Sequence, residues 1–355
     1  MDNSNNEQQE NTGYGWRENG PPPPKSKGSG SKILFAVAGV LLIVGGVFGL
    51  AIAAIIPFMA VSVVSPIVQS VVSPVVQSVS DTVTITAQEI VTASNSPFIT
   101  QRFQNANGAT VLESQVPLAE FNTNRISISA AAADVIIWGH DADTLDITIE
   151  MYNDITYDVT FAGGSVIIDN DDIFRKNLGK SLSKVKADKL LIKVPNSYTG
   201  DLSIELAAGK ADVSGISGDR LTIEMAAGDF TIANLGYNTF RLEMAAGSLE
   251  GDNISADNLN INMTAGTVIL SGDLGTTNCS AAAGSVSLDY NSMPSSIKID
   301  AAAGSADIFL PADSQFRLRN SSVMGGLSND FAIYPDSANE ISIGMAMGQV
   351  KIHKK

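Results

Sequence analysis

One cysteine and two histidines stand in 355 residues. A single cysteine rules out a disulfide framework within the chain. The two histidines, His140 and His353, leave little for a metal centre or for general-base chemistry. A nucleophile elbow and a Gly-Lys-Ser/Thr phosphate loop are both missing. Aromatics amount to 6%, and past Trp16 the only tryptophan is Trp138. That scarcity argues against a polysaccharide-acting enzyme on a β-helix, where carboxylates and aromatics cluster along a groove. Charge is absent from residues 33–80 and balanced over residues 1–32, so the net −15 belongs to residues 81–355. Such an acidic region argues against a nucleic-acid partner.

What the chain does have is one phrase written six times. It reads Leu202-Ser-Ile-Glu-Leu-Ala-Ala-Gly209, Leu221-Thr-Ile-Glu-Met-Ala-Ala-Gly228, Phe240-Arg-Leu-Glu-Met-Ala-Ala-Gly247 and Leu259-Asn-Ile-Asn-Met-Thr-Ala-Gly266. Weaker copies end at Gly284 and Gly304, so the interval between successive glycines hardly changes. A fixed period near 20 marks a solenoid, in which each unit buries its apolar side against its neighbours. Counting back from each glycine, positions minus seven, five, three and one are apolar or small, which predicts a strand with one buried face. After the glycine the phase slips, and plus two and plus four turn inward, as in Phe230 and Ile232 or Val268 and Leu270. A slip at glycine fits a corner. Each repeat is therefore expected as strand, corner, strand and loop, with loops at Ser214–Asp219, Asn234–Gly236 and Ser271–Asp273. The same phase places weaker corners at Ala133, Gly164, Val323 and Gly348, about ten in all. Cys279 falls on an inward position and reads as a small buried hydrophobe. The fold expected is all-β: a single-coil parallel β-solenoid of about 19 residues per coil, spanning residues 121–355 and preceded by one transmembrane helix.

Upstream, residues 1–32 form a polar tail with the run Pro21–Pro24, too poor in apolar residues to fold alone. Residues 33–56 run without a single charge. As a helix they reach about 36 Å, enough to cross a bilayer. Lys25, Lys27 and Lys32 precede them and no basic residue follows before Arg102. That asymmetry predicts a single-pass cell-membrane protein with a cytoplasmic N-terminus and an extracellular C-terminal domain, the lipid bilayer being met through residues 33–56. Residues 57–120 are expected as stalk and linker with a capping strand, carrying the octapeptide Ser65-Pro-Ile-Val-Gln-Ser-Val-Val and its near copy at Ser73–Ser80.

The Ala-Ala-Gly phrases, Leu191-Ile-Lys-Val-Pro195, Tyr198-Thr-Gly-Asp-Leu-Ser-Ile204 and Ile308-Phe-Leu-Pro311 together resemble the bacterial putative-adhesin domain family, a domain of unknown function in membrane-anchored envelope proteins. The resemblance covers roughly residues 121–355. It implies a β-solenoid at the surface of a bacterium, many relatives being Gram-positive, and it carries no catalytic residues over.

Two clusters stand out as candidate sites. Arg175, Lys176, Lys180, Lys184, Lys186, Lys189 and Lys193 crowd seven bases into one short stretch of an acidic domain. They are expected either as a patch for anionic headgroups or a cell-wall polymer, or as a solvated excursion from the coils. Glu205, Glu224 and Glu243 share position minus four of successive phrases. Stacked in register they repel. Arg220 and Arg241 with solvent screening would offset this, or a divalent cation would bridge the carboxylates. No other cofactor is implied. The resulting expectation is a non-catalytic surface module that binds or senses an envelope component or a membrane-protein partner. The competing one is a structural spacer, with a polysaccharide-acting enzyme third.

Overall fold

The computed structural model describes residues 88–89, 99–105, 107–118, 123–152, 157–170, 187–321 and 324–355. The tail, the apolar run 33–56 and the octapeptides lie outside these, and among the described residues no helix is long and apolar enough to cross a membrane. The strands in chain order are β1 (Gln88–Glu89), β2 (Ile99–Gln104), β3 (Thr110–Pro117), β4 (Arg125–His140), β5 (Thr144–Met151), β6 (Asp158–Ala162), β7 (Ser165–Asp169), β8 (Asp188–Pro195) and β9 (Asp201–Ser214). They continue with β10 (Ser217–Met225), β11 (Asp229–Met244), β12 (Ser248–Met263), β13 (Thr267–Ala281), β14 (Ser285–Tyr290), β15 (Ser296–Leu310), β16 (Arg317–Asn320), β17 (Met324–Asn329) and β18 (Glu340–Lys354).

From β9 to β15 every pairing is parallel and runs from one repeat to the next: Leu202 opposes Leu221, Leu221 opposes Phe240, and Phe240 opposes Leu259. The glycines occupy the corners. Gly228, Gly247, Gly266, Gly284 and Gly304 all have φ between +117° and +137°. A Cβ on Gly247 would sit 2.1 Å from the carbonyl oxygen of Gly228, and one on Gly266 would sit 2.2 Å from that of Gly247. Glycine is thus required twice over, by backbone angle and by the close approach of the next rung. The corner is also a hydrogen-bonded ladder: Ser248 N donates to Gly228 O at 2.9 Å, and Ala246 N to Ala226 O at 3.0 Å.

Between corners the structure corrects the expected loop. Asn234–Gly236 lies within β11 and Ser271–Asp273 within β13. In β12 pairs of exposed residues at 252–253 and 257–258 interrupt the alternation, leaving Leu249 and Gly251, then Ile254 and Ala256, then Leu259, Ile261 and Met263 turned inward. Each coil is therefore three-sided. Asn234 and Asn253 take φ of 53° at the second corner, and Asn253 Nδ2 donates to Asn234 Oδ1 at 2.8 Å. Asparagine tolerates this region through its short polar side chain, so it hides a corner inside what reads as a turn. Position minus one, expected inward, is exposed at Ala208, Ala227 and Ala283.

At both ends the stacking order departs from chain order. β4 lies directly against β9 (Ile126 opposite Leu202) and carries β7 and β8 on its other side. At the far end β18 lies directly against β15 (Ile297 opposite Ile341) and carries β16 and β17 outside it. The expected corner at Gly164 is instead a hairpin turn between antiparallel β6 and β7. Val323 lies outside the described residues, and the residue opposite Gly348 is Gly325. Antiparallel β5, β3 and β2 extend the sheet beside β8, with Val111, Leu112 and Val116 buried.

The core is the column of inward side chains, among them Ile204, Ile223, Leu242, Ile261 and Ile299. Cys279 belongs to it at 2% exposure, and burial, with a smaller push from Asp300, moves its thiol up to about 12. Three expectations follow. Gly247→Ala should cost roughly 3 kcal/mol, a fall in Tm of about 6–12 °C. Gly236→Ala, where the added carbon would find nothing nearer than Ser217 at 3.5 Å, should stay within about 0.5 kcal/mol. In alkylation at pH 8, Cys279 should react only after denaturation.

Candidate functional site

An open groove of about 890 Å³ lies where β4, β9 and β10 begin. Its centre is the column one residue before each phrase. Arg125 opposes Asp201, and Arg220 reaches the Asp201 carboxylate at 3.5 Å. Asp143 and Asp219 add two carboxylates, and Asn124, Ser165, Ser197 and Thr199 add neutral donors and acceptors.

The turn between β8 and β9 makes this wall rigid. Tyr198 is buried, and its hydroxyl donates to the Asp201 carbonyl at 2.7 Å. Burial first, and the neighbouring Asp201 second, raise that phenol well above its ordinary range, so it remains a donor. Asp201 N donates to Asn124 O at 2.8 Å, and Tyr198 N to Pro195 O at 2.9 Å. A Cβ on Gly200 would meet the Asn124 carbonyl at 2.4 Å and the Tyr198 hydroxyl at 2.5 Å, so this position admits glycine alone. Asn238 Nδ2 fixes Asp219 at 2.9 Å. What the arrangement offers a ligand is a mixture of guanidinium, carboxylate, amide and hydroxyl groups on a hydrogen-bonded turn. Neither histidine lines it: His140 Nε2 is 2.8 Å from the Thr144 carbonyl, and His353 Nε2 is 3.1 Å from Asp307.

The sequence reading missed this column. The signal was present, since Arg125, Asp201 and Arg220 share one phase and alternate in sign. Tyr198–Asp201 entered that reading only as part of a family phrase.

The glutamates do stack as expected, Glu205 opposite Glu224 and Glu224 opposite Glu243. Arg241 pairs with Glu243, its Nε lying 3.0 Å from Oε1, whereas Arg220 turns to Asp201 instead. Among the described residues no group of three or more His, Cys, Asp or Glu is placed to hold a metal ion. Arg241, paired with Glu243 and acting on Glu224 as well, offsets part of this repulsion. Of the seven bases, Lys189 and Lys193 are described. Both are exposed on one face of β8, and Lys193 Nζ lies 5.7 Å from the Trp138 ring centroid. Arg175, Lys176, Lys180, Lys184 and Lys186 lie outside the described residues. β7 and β8 pair with β4 on opposite sides of its Ala133 corner.

In class the described residues form a stack of mainly parallel β coils, with a polar groove where β4, β9 and β10 begin. Within that class the chain belongs to the Toastrack DUF4097 family, whose profile matches residues 123–351. Among solved structures it is similar to a putative adhesin from Bacteroides fragilis, at 16% identity and a TM-score of 0.43, covering 68% of this chain and 97% of that one. It is also similar to a putative lipid binding protein from Parabacteroides distasonis, at 14% identity and 0.44, covering 69% and 96%. A putative cell adhesion protein from Clostridium sporogenes is similar at 13% and 0.27, covering 70% and 100%. No curated protein matches the chain.

Burial, and after it the charge of Glu243, raises the Glu224 carboxyl, while Arg241 pulls it back. A raised carboxylate destabilises the fold when charged, so this contribution to stability grows as pH falls from neutral into the carboxylate range. Glu224→Gln should raise Tm at pH 7 by roughly 1–3 °C, and the gain should vanish near pH 3. An unchanged Tm at pH 7 would contradict the ladder's electrostatics.

Proposed function

We propose that the chain is a membrane-anchored, non-catalytic surface module whose groove at Arg125, Asp201 and Arg220 holds a polar envelope component. The groove's construction carries the reading. Its wall is built from a rigid turn and an obligatory glycine, and it presents charges of both signs with hydroxyl and amide groups between them. A cell-wall polymer bearing hydroxyl, amino and carboxyl groups complements that set. An exposed loop of a membrane protein is the other partner of matching chemistry. Lys189 and Lys193, continuing the basic run from Arg175 to Lys186, add attraction for an anionic polymer or headgroups. Anchoring rests on the uncharged run 33–56 and on the lysines preceding it, which orient the coils outward.

The test uses the full chain in vesicles, mixed with solubilised peptidoglycan and, separately, with an anionic wall polymer. Retention by one of them is expected, with Arg125→Glu weakening it at least fivefold at unchanged Tm. Retention by neither would leave a structural spacer as the better account. Carbonate extraction should leave the full chain in the membrane fraction, and deletion of residues 33–56 should release it.

A further inference from the structure

The charged side chains lining the groove are two guanidiniums, Arg125 and Arg220, and three carboxylates, Asp143, Asp201 and Asp219. Three of these five are already engaged. Arg220 pairs with Asp201 at 3.5 Å, and Asn238 holds Asp219 at 2.9 Å. Arg125 and Asp143 are both exposed, and among the described residues the side chain of neither has a hydrogen-bond or ion-pair partner.

Each is nonetheless set in place by its backbone. Arg125 opens β4, between Ser165 of β7 and Asp201 of β9. Beside it, Asn124 N donates to Gly164 O at 2.9 Å, and Asn124 O accepts from Asp201 N at 2.8 Å. Asp143 stands in the turn from β4 to β5. Across that turn His140 Nε2 lies 2.8 Å from Thr144 O. Asn196 Nδ2 donates to Asp141 Oδ1 at 2.8 Å, and Thr144 Oγ1 donates to Asp146 Oδ1 at 2.9 Å. The turn's other polar side chains are thus engaged within the protein, and Asp143 is left for a ligand.

Two uncommitted charges of opposite sign in one groove select the ligand's chemistry. A polyanion would find Arg125 but also face three carboxylates. A purely cationic ligand would meet Arg125, and a neutral sugar would use neither charge. A zwitterion satisfies both. A carboxylate takes the parallel donors that a guanidinium offers, and an ammonium takes the Asp143 carboxylate. The hydroxyls of Ser165, Ser197 and Thr199 and the Asn124 amide remain for peptide groups between the charged ends. A volume of about 890 Å³ is that of a small-ligand site. Building on the envelope-binding role proposed above, we infer that the groove holds a short peptide branch of a wall polymer. Its free carboxylate lies on Arg125 and its free amine on Asp143.

The test mixes the full chain in vesicles with solubilised peptidoglycan left intact, acetylated at its amines, or amidated at its carboxylates. Each modification should weaken retention by the parent protein about fivefold. Asp143→Asn should no longer respond to acetylation while still responding to amidation. Arg125→Gln should show the reverse, both variants keeping the parent Tm. A structural role for either residue would not produce that crossed pattern. The dipeptide lysylalanine should compete with the intact polymer, and its acetylated amide should not. Retention indifferent to both modifications would overturn the zwitterion assignment and leave envelope binding by the groove standing. Equal responses in the parent and both variants would overturn the assignment to Arg125 and Asp143. Retention of no polymer would overturn this inference and the envelope-binding role together.

Discussion

The structure depends on one close approach. At each corner the α-carbon of a glycine rests over the carbonyl of the glycine one rung before, so near that a Cβ would lie 2.0–2.3 Å from that oxygen from Gly228 through Gly304. No other residue fits, and none adopts the required φ without strain. Because the corners stack without side chains between them, backbone groups on either side stay at strand spacing and the hydrogen-bond ladder runs through the bend. The rest of the coil inherits its register from this line of glycines, including the inward column of Ile223, Leu242 and Ile261 and the outward column of glutamates.

That register also creates the groove. Residues one step before each phrase align as Arg125, Asp201 and Arg220 only because the phrases themselves align. The turn bearing Tyr198 and Gly200 then locks the first of these rungs. A rigid repeat thus turns a sequence column into a surface of fixed chemistry, and recognition falls to whatever residues occupy the outward phases. The same regularity makes the ends a separate problem. At one end, antiparallel β5, β3 and β2 extend the sheet beside the outer coil. At the other, β18 lies between β15 and the outer rung of β16 and β17, where Met347 and Met324 are exposed.

The inner coils were legible because their signal is periodic. The slip of phase at Gly228, Gly247 and Gly266 gave both corner and inward positions, and Phe230, Ile232, Val268 and Leu270 are buried as expected. The second and third corners were not legible, because asparagine and small polar residues mark loops as readily as corners, and only the rung-to-rung pairing of Asn234 with Asn253 separates the two. The ends escaped for another reason. Phase along the chain fixes which face a residue presents, but not which rung lies beside which, so Ser342 and Arg319 read in chain order although β18 is the inner neighbour. Gly164 matched the pattern of a corner while serving a hairpin, since both uses ask only for a positive φ. The groove was hidden because its opposite charges, at Arg125, Asp201 and Arg220, are scattered along the chain and become a unit only through register.

Rung order is therefore the property to measure. Ser203, Thr222, Arg241, Asn260, Asn278, Lys298, Ser342 and Arg319 form one outward column in that sequence. Pulsed electron paramagnetic resonance with one spin label at Ser203 and a second at Lys298, Ser342 or Arg319 should give distances rising by about 4.8 Å per rung, near 24, 29 and 34 Å. Ser342 should lie closer than Arg319 although it comes later in the chain. Distances that follow chain order, or that do not rise by one strand spacing per rung, would contradict the stacked-glycine account.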